Sequence, residues 1–289
     1  MPLRKNDTME IPSLLPGKIV VLPGRGEMFV RHHKHDDPSR PTVLLLHGWT
    51  ASCDTQFFTA FEELAAEYSV IGVDHRGHGR GLRPSCVFSL EDCADDAAAA
   101  ARALGAERVI TVGYSMGGPV SFMVQQRHPE LVAGMVFQAT SMEWRGTRKE
   151  RVQWRLSHYL APVFRRLATP RTIRWGVRRS VPRGHELSRY VDWLVGEIRR
   201  NDIWMITEAG KAISQFDARP FAVSIEVPTA MVITTRDKLV HPVKQYALAT
   251  AVRAEIVELD GDHIAPLEQP REYSAATRRA VDSVARRVR

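Results

Sequence analysis

One serine in this chain sits where a serine can do covalent chemistry. Arg108–Val112 reads as a buried strand and passes directly into Gly113-Tyr114-Ser115-Met116-Gly117-Gly118, ahead of a helical stretch, Met116–Arg127. Gly-x-Ser-x-Gly in a strand–turn–helix setting forces a sharp turn that strains the serine backbone and lifts its hydroxyl above the sheet. The flanking glycines lack Cβ atoms, so strand and helix can close around it. A serine hydroxyl is almost un-ionised at neutral pH and needs an imidazole to take its proton. The imidazole in turn needs a carboxylate to fix its tautomer and stabilise its charged form. Of eleven histidines, His128, His158, His185, His241 and His263 follow Ser115 in the chain.

The surrounding elements must hold such groups together. Gly17–Leu22 and Glu27–His33 read as short strands around the turn Pro23-Gly24-Arg25-Gly26. Thr42–Leu46 and Ser69–Asp74 are continuous apolar runs of the kind buried on both faces of a parallel sheet. Phe57–Tyr68 has helical apolar spacing, and Ser89 opens a helix to Leu104 whose acidic first turns oppose the macrodipole. Leu131–Phe137, Pro228–Ile233 and Ala254–Leu259 are further strands, with helices from His241 and at the C-terminus. Strands alternating with helices predict an α/β fold: a mostly parallel central sheet covered on both faces. The alternation stops near Ala139, so residues 1–140 and 223–289 are expected to form one core, with 141–222 as a helical cap inserted between them.

The composition is that of a soluble globular chain: 44% hydrophobic and 25% charged over 289 residues, with 19 Gly and 17 Pro. It excludes disordered, collagen-like and disulfide-scaffold classes. No apolar run approaches the roughly 18–20 residues of a membrane span. Met1–Gly17 has neither the apolar stretch nor the cleavage site of a secretory leader. Cys53, Cys86 and Cys93 cannot all pair, which points to the reducing cytoplasm. His32-His33-Lys34-His35-Asp36-Asp37 reads as a surface hairpin rather than a metal site, and no phosphate loop or zinc helix is present. No cofactor or metal is therefore expected.

The elbow at Ser115, Asp74-His75-Arg76-Gly77-His78-Gly79 and the strand pattern together resemble the α/β-hydrolase superfamily from about Thr42 to Val281, the inserted segment apart. Within it the chain is most similar to serine esterases and lipases with a helical cap. Serine in place of aspartate at the nucleophile position disfavours epoxide hydrolase and dehalogenase chemistry. The resemblance implies the order nucleophile, acid, base. His263 follows the last strand in Gly261-Asp262-His263-Ile264, and Pro266-Leu267-Glu268-Gln269-Pro270 resembles the helix entry after the family's catalytic histidine. Asp237, in Arg236-Asp237-Lys238-Leu239-Val240 after the preceding strand, resembles its acid, with Asp260 and Asp262 in reserve. The oxyanion hole would be the backbone N–H groups of Met116 and, by resemblance, Trp49 in His47-Gly48-Trp49-Thr50. His47 is expected to support that loop, while His75 and His78 could line the cleft.

The net charge of +7 is localised: Met142–Pro220 holds 17 basic and 8 acidic residues. Arg145–Arg183 alone has twelve basic residues and one acid, Glu150, interleaved with Trp144, Trp154, Tyr159, Phe164 and Trp175. Val152, Leu156, Leu160, Val163 and Leu167 recur at helical steps, and Pro162 is expected to kink or end that helix. In one reading this apolar face covers the active site while the arginines meet water. In another the segment attracts anionic lipid, or a substrate carrying phosphate or carboxylate. No nucleic-acid reader module is present.

The resulting expectation is a cofactor-independent serine hydrolase acting on a small carboxylic ester. Thioesterase, amidase or iminopeptidase, C–C hydrolase and cofactor-free peroxidase chemistry would use the same three residues, because specificity lies in the cap. A hydrolase-fold ligand-binding protein is the non-enzymatic alternative.

Overall fold

Eight strands form one sheet in the order β1-β2-β4-β3-β5-β6-β7-β8. The computed structural model describes residues 9–181 and 184–288, without the side chains at 158, 161, 164 and 165. Expectations resting on Met1–Thr8, on Arg183 and on the side chains of His158 and Phe164 lie outside the described residues. β1 (Gly17–Leu22) and β2 (Gly26–His33) pair as an antiparallel hairpin. β2 also runs antiparallel to β4 (Ser69–Val73), which pairs in parallel with β3 (Thr42–Leu46). The parallel ladder continues through β5 (Val109–Tyr114), β6 (Val132–Gln138), β7 (Thr229–Thr234) and β8 (Glu255–Leu259).

Every residue of β5, β6 and β7 is buried, as their unbroken apolar runs require. Because side chains alternate along a strand, each strand feeds two cores. Leu44, Leu46, Met231 and Ile233 pack on one face, and Val43, Leu45, Ala230 and Val232 on the other.

Between β3 and β4 lie two five-residue turns of helix, α1 (Cys53–Phe57) and α2 (Phe61–Ala65). The single helix expected over Phe57–Tyr68 is therefore broken. The break at Phe58–Ala60 lets Phe57, Phe58 and Phe61 all reach the core. α3 (Leu90–Ala103) starts where expected: the Ser89 side chain accepts the Asp92 N–H at 3.0 Å. α4 (Gly117–Arg127) follows the elbow.

Among the described residues, four α-helices lie between β6 and β7: α5 (Arg148–Leu167), α6 (Pro170–Ser180), α7 (Val191–Ile198) and α8 (Ile203–Gln215). α9 (Pro242–Ala251), α10 (Ala265–Glu268) and α11 (Pro270–Ala285) complete the chain. The helical stretch is tied to the core by Arg80, which donates to both oxygens of buried Glu197 at 2.7 and 2.8 Å and to Asp54 at 3.2 Å.

Two expectations for α5 need correction. Of the two outcomes expected at Pro162, a kink or an end, the end does not occur: the helix runs through it, and because Pro162 is exposed the backbone carbonyl left without its donor can be hydrated. Its apolar face does not cover the site either: Val152, Leu156, Leu160, Val163 and Leu167 are exposed. Two contacts set the rotation of the helix. Glu150 pairs with Lys244 at 2.6 Å, and the Trp154 ring lies 6.0 Å from that of Trp49. Those residues take the inward side and turn the apolar stripe outward.

Candidate active site

β5 ends in the elbow, and its geometry explains the glycines. Ser115 has φ +51°, a left-handed conformation that costs a non-glycine residue free energy. It is held by its N–H on Gln138 O at 2.9 Å, while its carbonyl accepts the Thr140 hydroxyl at 2.7 Å. A Cβ on Gly117 would lie 1.9 Å from the Leu46 carbonyl oxygen, so only glycine lets α4 rise so close to β3.

The loop after β8 brings His263 to this serine. Its Nε2 lies 3.1 Å from Ser115 Oγ, and its Nδ1 lies 2.8 Å from Asp237 Oδ2. The buried hydroxyl of Tyr114 donates to the His263 carbonyl at 2.7 Å and anchors the loop. Asp237, 2% exposed, accepts further hydrogen bonds from the Leu239 and Val240 amides, both at 2.8 Å. The Thr234 hydroxyl and Gln245 Nε2 also donate to it, at 2.8 and 3.1 Å. These donors hold the carboxylate in place against the imidazole.

The reserve acids are engaged elsewhere. Asp262 accepts the His263 and Lys238 amides at 2.7 and 3.0 Å, and Asp260 pairs with Arg236 at 2.8 Å. Among the other histidines, His128 lies 2.9 Å from Asp95, and His185 and His241 cap helical turns.

Among the described residues, neither the Met116 nor the Trp49 backbone N–H has a hydrogen-bond acceptor. The loop that carries Trp49 is fixed from three sides. Trp49 Nε1 donates to the Ile206 carbonyl at 2.8 Å, and Asn201 Nδ2 donates to the Thr50 carbonyl at 2.6 Å. From beneath, fully buried His47 accepts the His75 N–H on Nε2 at 2.9 Å. Its proton must then be on Nδ1, which donates to the Gly48 carbonyl at 2.8 Å. Burial first, then the neighbouring His75 and His78, keeps its pKa well below the ordinary histidine value. His75 and His78 are buried behind this loop rather than lining the cavity.

Ser115 and His263 open onto a cavity of about 630 Å³ walled by α5, α8 and the loops after β3, β7 and β8. Its walls are mainly apolar, Trp49, Trp144, Trp154 and Ile213 among them. Lys244 is the only Lys or Arg lining it among the described residues, and it is bound by Glu143 at 2.9 Å and Glu150 at 2.6 Å. Among the described residues, no arginine of the basic segment lines the cavity. Lys244 and Asn201 escaped sequence reasoning, as did the contact of Trp154 with Trp49, because each meets its partner across a separation that no local spacing encodes. Among the described residues, no group of histidines, cysteines and carboxylates is arranged to hold a metal.

A family model described as alpha/beta hydrolase fold matches residues 41–270, and the chain belongs to that family. The 2-(acetamidomethylene)succinate hydrolase of Mesorhizobium japonicum is 34% identical over 98 residues, which are 34% of this chain and 35% of that protein. The match thus spans about a third of that relative's length. Pyrrolizixenacetamide deacetylase of Xenorhabdus hominickii is 24% identical over 82% of this chain and 89% of its own. The solved esterase of Exiguobacterium antarcticum superposes with a TM-score of 0.78 at 16% identity, over 93% of this chain and all of that one, a likeness of fold.

Proposed function

We propose that this protein is a serine hydrolase that cleaves a small carboxylic ester through an acyl-enzyme. The observation that carries the reading is the relay Ser115 Oγ–His263 Nε2–Asp237, with spacings of 3.1 and 2.8 Å. Ser115 attacks the carbonyl carbon as His263 takes the hydroxyl proton on Nε2, and Asp237 stabilises the imidazolium through Nδ1–H. The Met116 and Trp49 amides receive the developing oxyanion; one such donor is typically worth about 3–4 kcal/mol in the transition state. His263 then protonates the leaving alcohol, and a water deprotonated by the same imidazole releases the acid. No step calls for a cofactor or metal.

In this reading residues 141–222 act as a cap that supplies the acyl pocket and governs entry. Three unpaired cysteines support a reducing, cytoplasmic setting. Among the described residues no helix is long and apolar enough to cross a membrane. The described lining, whose one lysine is ion-paired, supports an uncharged acyl group over a carboxylate or phosphate. An amide in place of the ester is a second reading, favoured by the names of the hydrolase and the deacetylase it resembles.

A panel of p-nitrophenyl esters and matched anilides of increasing acyl length tests the reading, with Ser115→Ala as control. Ester turnover that vanishes in the variant supports it. Binding of ligands without turnover would replace it with a non-enzymatic role.

A further inference from the structure

We propose that the outer face of α5, with the start of α6, docks on an anionic bilayer. Val152, Leu156, Tyr159, Leu160, Val163 and Leu167 are all exposed, from 38% at Leu160 to 77% at Tyr159. At 3.6 residues per turn they fall within an arc of about 100°, an apolar stripe that nothing among the described residues buries. The same geometry puts Arg148, Arg155 and Arg166 along one edge of the stripe. Trp175 on α6 adds a ring that is 66% exposed.

The charge around the stripe decides what could cover it. Arg148, Lys149, Arg155, Arg166, Arg171 and Arg178 make no ion pair among the described residues. Arg174, by contrast, is already spent on Asp192. Unpaired cations beside an exposed apolar stripe match a surface that offers phosphate at its face and hydrocarbon below. A second copy of the chain is a poor occupant: a symmetric dimer through this face would set two cationic patches against each other. Gln153, Trp154 and Ser157 of the same helix line the cavity, so docking would seat the cavity wall beside the membrane.

Flotation of the whole protein with phosphatidylcholine vesicles, with and without about half phosphatidylglycerol, tests this at low and high salt. We expect binding to the anionic vesicles alone, lost at high salt. Each basic residue near such a surface contributes enough that a triple Arg148→Gln, Arg155→Gln, Arg166→Gln variant should partition roughly a hundredfold more weakly. Leu156→Glu with Val163→Glu should abolish binding. Circular dichroism and thermal melting of the variants should match the parent, since all these side chains are exposed. Failure of the parent to float with anionic vesicles at low salt overturns the proposal. So does a concentration-dependent dimer that Leu156→Glu dissolves in the absence of vesicle binding, which would assign the stripe to a second copy.

Discussion

Asn201 Nδ2 donates to the Thr50 carbonyl at 2.6 Å, across 151 positions of sequence, while the Asn201 carbonyl oxygen accepts the Gly79 N–H at 2.8 Å. One carboxamide at the turn between α7 and α8 therefore pins two loops of the core. Thr50 needs the support: its φ is +66°, and its peptide adjoins Trp49, whose N–H is assigned to the oxyanion. Asn201→Ala should lower kcat roughly tenfold, because the loop that presents the Trp49 N–H loses its side-chain anchor, and leave KM nearly unchanged. Steady-state kinetics on a short ester would read this. A rise in KM at constant kcat would place Asn201 in substrate binding instead.

The elbow and the inserted helices respond in opposite ways to the same substitution. An alanine Cβ at Gly117 would stand 1.9 Å from a carbonyl of the central strand β3, which has no room to retreat. Gly117→Ala should cost more than about 4 kcal/mol and fail to give soluble protein, or melt far below the parent. Gly176, inside α6, has nothing within 4 Å of its built Cβ. There, Gly176→Ala should stabilise by about 0.5–1 kcal/mol through helix propensity. Urea unfolding compares the two, and equal effects would contradict the packing at the elbow.

Three buried histidines make stability depend on acid. Burial, with lesser effects from neighbouring histidines and, at His78, from Arg83, lowers His75 to about 3 and His78 to about 4, and it holds His47 well below its ordinary value. In the unfolded chain each titrates near about 6.5. Their contribution to stability is therefore complete above that pH and is lost as pH falls towards about 4, at about 1.4 kcal/mol per histidine per pH unit. Asp74 opposes the trend: burial raises it to about 6, so its folded form holds the proton more tightly and gains stability as pH drops below 6. Three groups against one leave a net loss. Among the described residues neither ring nitrogen of His75 has a partner, so His75→Phe should flatten the decline of Tm between pH 6.5 and 5 by nearly half. An unchanged slope would mean that His75 is not held neutral.

The legible part of the molecule was the part written in local pattern. Continuous apolar runs announce β3, β5, β6 and β7 because strands buried on both faces leave no polar position. Gly-x-Ser-x-Gly announces Ser115 because the elbow's close approach admits only glycine around it. Asp237 and His263 were accessible through their places after successive strands, and the run of contacts from Asp237 through His263 to Ser115 follows from parallel strands ending on one side of the sheet. Periodicity showed that α5 has an apolar face but not which way it points, since Glu150–Lys244 and Trp154–Trp49 set that rotation from afar. The bridge from Asn201 to Thr50 and the tie from Arg80 to Glu197 are likewise long-range pairings with no spacing to betray them.

Covalent labelling tests the central claim most directly. Incubated with an alkyl fluorophosphonate and analysed by intact mass and peptide mapping, the protein should gain one adduct, on Ser115. Labelling should slow by at least about a hundredfold in His263→Ala, where the imidazole that takes the hydroxyl proton is gone. An adduct that persists in Ser115→Ala, or a parent protein that stays unlabelled while folded, would contradict the account.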